Sequence, residues 1–204
     1  MIAPHTYPYI LVPILLAILT FAFSLYWIWW TPFSLFFFIV TLFFLFFFRD
    51  PPRHIQKGIV SPADGTIMDI HVLTDPDIGP AHRVSLFMNL WNVHINRFPL
   101  GGTITAMQHS PGGHLPAFIQ KSLHNEQLSY LLDTPQGKIK IIQIAGTVAR
   151  RIVPYVTVGQ QVQKGEKIGI VRFGSRVDLY LPKHISLHVS RGKRYRAGET
   201  LQFT

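Results

Sequence analysis

The run Arg172-Phe173-Gly174-Ser175-Arg176-Val177-Asp178 sets a serine directly after a glycine, between two strand-like stretches, Val156 to Val171 and Val177 to Leu181. Two readings are open. One is a tight turn in which glycine supplies an unusual backbone angle. The other is self-attack. Ser175 Oγ would add to the Gly174 carbonyl, which the missing side chain leaves uncrowded. A serine hydroxyl is a weak nucleophile and needs a base. His94, in Asn92-Val93-His94-Ile95, is the candidate, and Asp64, in Ser61-Pro62-Ala63-Asp64-Gly65, is the candidate to orient it and stabilise its imidazolium. Taken singly, Asp64 is an Asp-Gly turn residue and His94 a strand histidine. Only their combination with Gly174-Ser175 favours chemistry.

Composition limits what must position these residues. The chain has 204 residues and no cysteine, so thiolate metal sites, disulfides and cysteine nucleophiles are excluded. His184 and His188, and His109 and His114, lack a carboxylate to complete a metal set, and no metal is expected. Net charge is +9, from 19 basic and 10 acidic residues, all at or after Arg49. A basic domain suits nucleic acid or an anionic membrane surface. No nucleic-acid-binding motif is present.

The uncharged N-terminus favours the membrane. Ile10 to Trp30 is almost wholly apolar and would make a helix of about 31 Å, enough to cross a bilayer. Phe33 to Phe48 would make about 24 Å, short for a full span. Trp27, Trp29 and Trp30 beside Thr31-Pro32 mark an interfacial turn. The expectation is a transmembrane helical hairpin over 1–48, a single span followed by an interfacial segment being the alternative, with Arg49, Arg53 and Lys57 holding the following domain in the cytoplasm.

Residues 49–204 read as one mainly β domain, a compact β-sandwich or barrel-like fold. Strands are expected over Gly58–Ile70 (broken by the Pro62–Gly65 turn), Arg83–Met88, Thr103–Gln108, Leu128–Leu132 and Lys138–Ala145, with turns at Asp75–Pro80 and Thr134–Gly137. Thr147 to Ile152 would continue the sheet. A short helix is expected over Pro116–Leu123. The plan Val-Gly-x-x-Val-x-Lys-Gly-Glu-Lys-Ile-Gly within Val156–Val171 resembles the hairpin of lipoyl- and biotinyl-type domains. Val189–Gly192 and Arg196–Leu201 echo it.

Asp64, His94 and Gly174-Ser175 in that order, the apolar N-terminus, and Pro111-Gly112-Gly113-His114-Leu115-Pro116-Ala117-Phe118 together resemble the phosphatidylserine decarboxylase family, in its short, archaeal-type form. The likeness covers about residues 49–204, and Phe-Gly-Ser-Arg-Val-Asp is its most specific part. It implies cleavage between Gly174 and Ser175 into a β chain, 1–174, and an α chain, 175–204, that stay associated. Ser175 would become a pyruvoyl group that condenses with the substrate amine and acts as electron sink. His94 would be general base and later acid, and Asp64 would orient it. The expected substrate is phosphatidylserine, decarboxylated to phosphatidylethanolamine in the cell membrane. Archaetidylserine, an ether lipid, is the alternative. Gly112, Gly113, His114 and Lys121 belong to the family's substrate-side loop, and Arg176 is a candidate for the anionic head group. Longer members carry a second histidine where this chain has Trp91, so that histidine's role does not transfer. A membrane-tethered lipoyl-like binding module without catalysis would need an exposed lysine at the hairpin tip, where this chain has Gly174-Ser175-Arg176. A structural membrane protein would remain one intact chain.

Overall fold

The computed structural model describes residues 1–113, 125–146, 151–172, 175–187 and 189–201. The expected helix over 116–123 and the segment 147–150 lie outside them. Contacts divide the chain into two units, Met1–Pro52 and Arg53–Thr204.

In the first unit, α1 (Tyr7–Ser24) and α2 (Thr31–Phe47) flank a 3-10 turn, Ile28–Trp30. Each helix carries proline in its first turn, where the missing N–H breaks no hydrogen bond. Pro32 therefore lies in the first turn of α2, and the tryptophans fall in and beside the 3-10 turn. Both segments are long and apolar enough to cross a bilayer. Hydroxyls inside the helices bond backwards, Thr20 Oγ1 to Leu16 O at 2.7 Å and Thr41 Oγ1 to Phe37 O at 2.8 Å. These donors are thereby satisfied without water, as lipid surroundings require. Ala3 N donates to Phe48 O at 2.9 Å and Asp50 N to Met1 O at 2.7 Å, so the chain leaves the hairpin beside its entry.

Every regular element among the described residues of the second unit is a strand. The strands are β1 (Gly65–Asp75), β2 (Gly79–Met88), β3 (Ile95–Arg97), β4 (Gly102–Ser110), β5 (Gln127–Thr134), β6 (Gly137–Ala145), β7 (Ile152–Pro154), β8 (Gln161–Val162), β9 (Lys167–Val171), β10 (Ser175–Pro182) and β11 (Arg194–Tyr195). One antiparallel sheet runs β11-β1-β2-β10-β6-β5-β4-β8, and a smaller one β3-β9-β7. The mainly β expectation is borne out. The β1–β2 turn forms because Asp75 Oδ1 accepts the N–H groups of Asp77 and Ile78, at 2.9 and 3.2 Å.

The lipoyl-like echo has a physical counterpart. Gln163 N donates to Glu166 Oε2, and Arg196 N to Glu199 Oε2, both at 2.8 Å. Gly165 N bonds Phe98 O while Phe98 N bonds Glu166 O. In the other half, Gly198 N bonds Ser61 O while Ser61 N bonds Glu199 O. Two Gly-Glu turns with positive φ, +82° and +95°, thus clasp Phe98 and Ser61 in the same way, and Ile55 packs against both glycines.

Alternation along β10 sets the site. Val177, Leu179 and Leu181 enter the hydrophobic core with Ile67, Leu86 and Ile141. Ser175 shares their parity and faces the same way. Arg176, Asp178 and Tyr180 face oppositely, yet every residue of β10 is buried.

Candidate active site

Ser175 opens β10, the strand held between β2 and β6, with Met88 and Ala145 as its cross-strand partners. It is fully buried, and its hydroxyl lies 3.9 Å from Met88 Sδ. Asn96 Nδ2 reaches the same sulfur at 3.4 Å. Behind Asn96 runs a one-directional chain. Gln143 Nε2 donates to Asn96 Oδ1 at 2.7 Å, and Tyr130 O–H donates to Gln143 Oε1 at 2.7 Å. All four of these polar side chains are fully buried. Burial pushes the Tyr130 phenol well above its ordinary value, so it remains the donor that orders the chain. The donor chain thus ends on the thioether that also accepts from Ser175 Oγ.

His94 is buried at the entry to β3, and its carbonyl accepts Val171 N at 3.2 Å. This ties His94 to the end of β9, shortly before Ser175. Asp64 sits in the turn ahead of β1. Its Oδ2 meets Arg53 at 2.5 Å and its Oδ1 accepts Ala197 N at 2.8 Å. Arg97 N donates to Pro62 O at 2.8 Å, which stitches the Asp64 turn to β3, the strand that follows His94. Three stretches distant in sequence therefore meet through backbone bonds and through Met88.

Arg176 is turned inward. Only 2 % exposed, it clasps Asp178 with two bonds, 2.6 and 2.7 Å, and Ser85 Oγ at 2.9 Å. A guanidinium so engaged is committed to an internal ion pair and does not face a lipid head group. The same face of the sheet holds Lys140 against Asp75 and Asp77, at 2.6 and 2.5 Å, and Arg83 against Asp69 at 3.3 Å.

Gly112 and Gly113 are exposed, and His114, Lys121 and Gly174 lie outside the described residues. The stretch containing Gly112 and Gly113 is nevertheless rooted beside the serine. Gly113 bridges Asn125, and Asn125 Nδ2 donates to Ala145 O at 2.7 Å, on the strand partner of Ser175. A surface cleft lined by Gly102, Thr134 and Lys164 contains none of these residues.

Met88, Asn96, Tyr130 and Gln143 did not stand out in the sequence. Two signals were available for them. Asn96 lies two after His94, on the same face of an extended chain. Gln143 interrupts the core-facing parity of Ile139, Ile141 and Ala145.

Comparison with known proteins gives the chain's family. The family model described as phosphatidylserine decarboxylase matches residues 40–202. A phosphatidylserine decarboxylase proenzyme of Streptomyces coelicolor is 51% identical over 154 residues, covering 75% of this chain and 69% of the relative. A proenzyme of the same name from Rickettsia africae is 45% identical over 164 residues, with 76% and 71% covered. A Methanosarcina acetivorans protein bearing the name archaetidylserine decarboxylase proenzyme is 41% identical over 157 residues, with 76% and 71% covered. With its serine at the head of a central strand and its match running through both the Asp64 turn and that strand, the chain belongs to the phosphatidylserine decarboxylase family.

Proposed function

We propose that this protein is a membrane-anchored, self-processing decarboxylase that converts phosphatidylserine to phosphatidylethanolamine and CO2. The observation that carries this reading is Ser175, buried at the first residue of β10 on the core-facing side.

In processing, His94 takes the proton of Ser175 Oγ as that oxygen attacks the Gly174 carbonyl carbon, and the peptide bond becomes an ester. The proton taken by His94 passes to the Ser175 nitrogen as the peptide bond breaks. β-Elimination then removes the Ser175 α-proton and breaks the Cβ–O bond, releasing residues 1–174 as a carboxylate. The dehydroalanine left at 175 tautomerises to an imine that takes up water and loses ammonia to leave a ketone. That pyruvoyl carbonyl supplies the electron sink which decarboxylation of an amino acid requires. Asp64 stabilises the charged imidazole, its carboxylate fixed by Arg53 and by Ala197 N–H. Afterwards His94 returns a proton to the carbon that has lost CO2. The 175–204 chain stays bound because β10 pairs on both edges, with β2 and β6, and β11 pairs with β1.

The apolar hairpin supports an anchor in the membrane that holds the substrate, and Arg49, Arg53 and Lys57 support a cytoplasmic domain. Gly112, Gly113, His114 and Lys121 are assigned to the head group, on the strength of the Gly113–Asn125–Ala145 link to Ser175.

The test is an intact-mass spectrum of the denatured protein. Two chains are expected, the smaller beginning at 175 with a pyruvoyl mass, and one chain from Ser175→Ala. A single chain from wild type overturns the reading. Likeness to the Methanosarcina protein favours assaying archaetidylserine beside phosphatidylserine, which separates the ether-lipid reading.

A further inference from the structure

Among the described large apolar residues of the β unit, four are exposed: Val72, Leu90, Trp91 and Val158. Leu90 and Trp91 are the adjacent pair, 44 % and 69 % exposed. They form the tip of the turn between β2 and β3. The turn is built. Asn89 N–H donates to Asn92 Oδ1 at 2.9 Å, Trp91 N–H to Asn89 Oδ1 at 3.0 Å, and Asn92 N–H to Asn89 O at 3.1 Å. Two asparagine amides thus satisfy the turn from within and leave the leucine and the indole pointing outward.

Both ends of this turn enter the site. It leaves from Met88, the cross-strand partner of Ser175, and returns through His94 to Asn96. From Leu86 to Asn96 the chain holds no Asp, Glu, Lys or Arg, although every charge of the protein lies at or after Arg49. An uncharged tip enters a lipid interface without stripping water from an ion. Indoles prefer that depth, with an apolar body and one polar N–H. Val72 and Val158 lack this setting. Val72 stands within β1, paired across the sheet with His82, and Val158 is a lone side chain in a glycine turn.

We infer that the Leu90-Trp91 tip is a membrane-docking element that seats the mouth of the Ser175 site in the bilayer interface. It is a second contact with lipid, separate in sequence from the helical hairpin. It rests on the proposed lipid substrate, whose head group lies at the depth an indole occupies. A substrate that stays in the bilayer reaches a buried serine only if the site's rim is brought to the interface.

The absence of cysteine makes the test clean. Full-length protein carrying Trp91→Cys, labelled with a nitrobenzoxadiazole fluorophore, is reconstituted in phosphatidylcholine–phosphatidylglycerol vesicles. Val158→Cys serves as control. The label at 91 should be blue-shifted and quenched by doxyl-labelled lipid, and the label at 158 should be quenched by aqueous iodide instead. Iodide quenching at 91 equal to that at 158 overturns the inference. So does energy transfer between copies labelled at 91 without lipid quenching, which would assign the tip to self-association.

A kinetic arm uses Trp91→Ser. Its KM for phosphatidylserine in vesicles should rise about tenfold, equivalent to about 1.4 kcal/mol. Turnover of a short-chain, monomeric phosphatidylserine should be unchanged. Equal loss on both substrates would place Trp91 inside the reaction site and overturn docking. The fluorescence arm needs no turnover, so an inactive wild type would sink the decarboxylase reading while leaving the docking measurement valid.

Discussion

Ser175 and Met88 face each other across β10 and β2, with Oγ 3.9 Å from Sδ, and the same sulfur meets Asn96 Nδ2. A thioether is a weak acceptor. It orients the hydroxyl without holding the proton against a base. Replacing Met88 by leucine keeps the volume and removes the acceptor, so it should cost less than about 1.5 kcal/mol of stability. Self-cleavage of the precursor should nevertheless slow about tenfold, a rise of about 1.4 kcal/mol in the barrier. A gel time course of cleavage, set beside the thermal midpoint, checks both. Unchanged cleavage would reduce Met88 to packing.

Asp64 and Arg53 make a largely buried pair, so their substitutions separate structure from chemistry. Asp64→Asn should stop cleavage and also lower stability, because Arg53 loses its counter-charge. Arg53→Gln should lower stability but still cleave. If both variants cleave at the same rate as wild type, Asp64 serves only the ion pair and the bond to Ala197.

The Gly165-Glu166 turn offers a test of the clasp, with Gly159, outside it, as the reference. Gly159 has φ +85° and open space around it, so Gly159→Ala should cost only the left-handed backbone, about 1–2 kcal/mol. Gly165 has similar φ, but an added Cβ would run into Ile55. Gly165→Ala should therefore cost more than Gly159→Ala in thermal denaturation. An Ile55→Ala background should narrow the difference, and equal costs without it would show that Ile55 yields freely.

Alkaline stability follows from the ionised face of the sheet. Burial alone would lower the Lys140 pKa, but hydrogen bonds and charge from Asp75 and Asp77 outweigh it and leave it raised. Tyr180 is raised chiefly by burial, with Asp178 adding to the effect. Groups raised in the fold contribute fully below their unfolded values and lose that contribution as pH rises through the folded ones. The thermal midpoint should hold to about pH 9 and fall above about pH 10, where lysine and tyrosine ordinarily titrate. The double variant Lys140→Met, Tyr180→Phe should start lower and fall less steeply. An identical alkaline slope would exclude these groups.

Much of this protein was written in local sequence. The apolar hairpin, the Asp75 turn, the two Gly-Glu echoes and the Gly174-Ser175 pair are short-range features, and each rests on the chemistry of neighbouring residues. The ends of α1 and α2 were less legible, because Pro32 punctuates a helix equally well as its breaker or as its first turn.

What only the tertiary structure decided is where polar groups go once buried. In sequence Arg176, the residue directly after Gly174-Ser175, was a candidate for the anionic head group. β10 instead lies at the centre of eight strands with both faces covered, and a guanidinium there must find its partners inside the protein, in Asp178 and Ser85. Likewise, Asn96, Tyr130 and Gln143 stand far apart in the chain, and no local rule joins them. Desolvation forces each buried donor and acceptor to be matched, and only the paired strands bring them within reach of one another and of the sulfur beside Ser175.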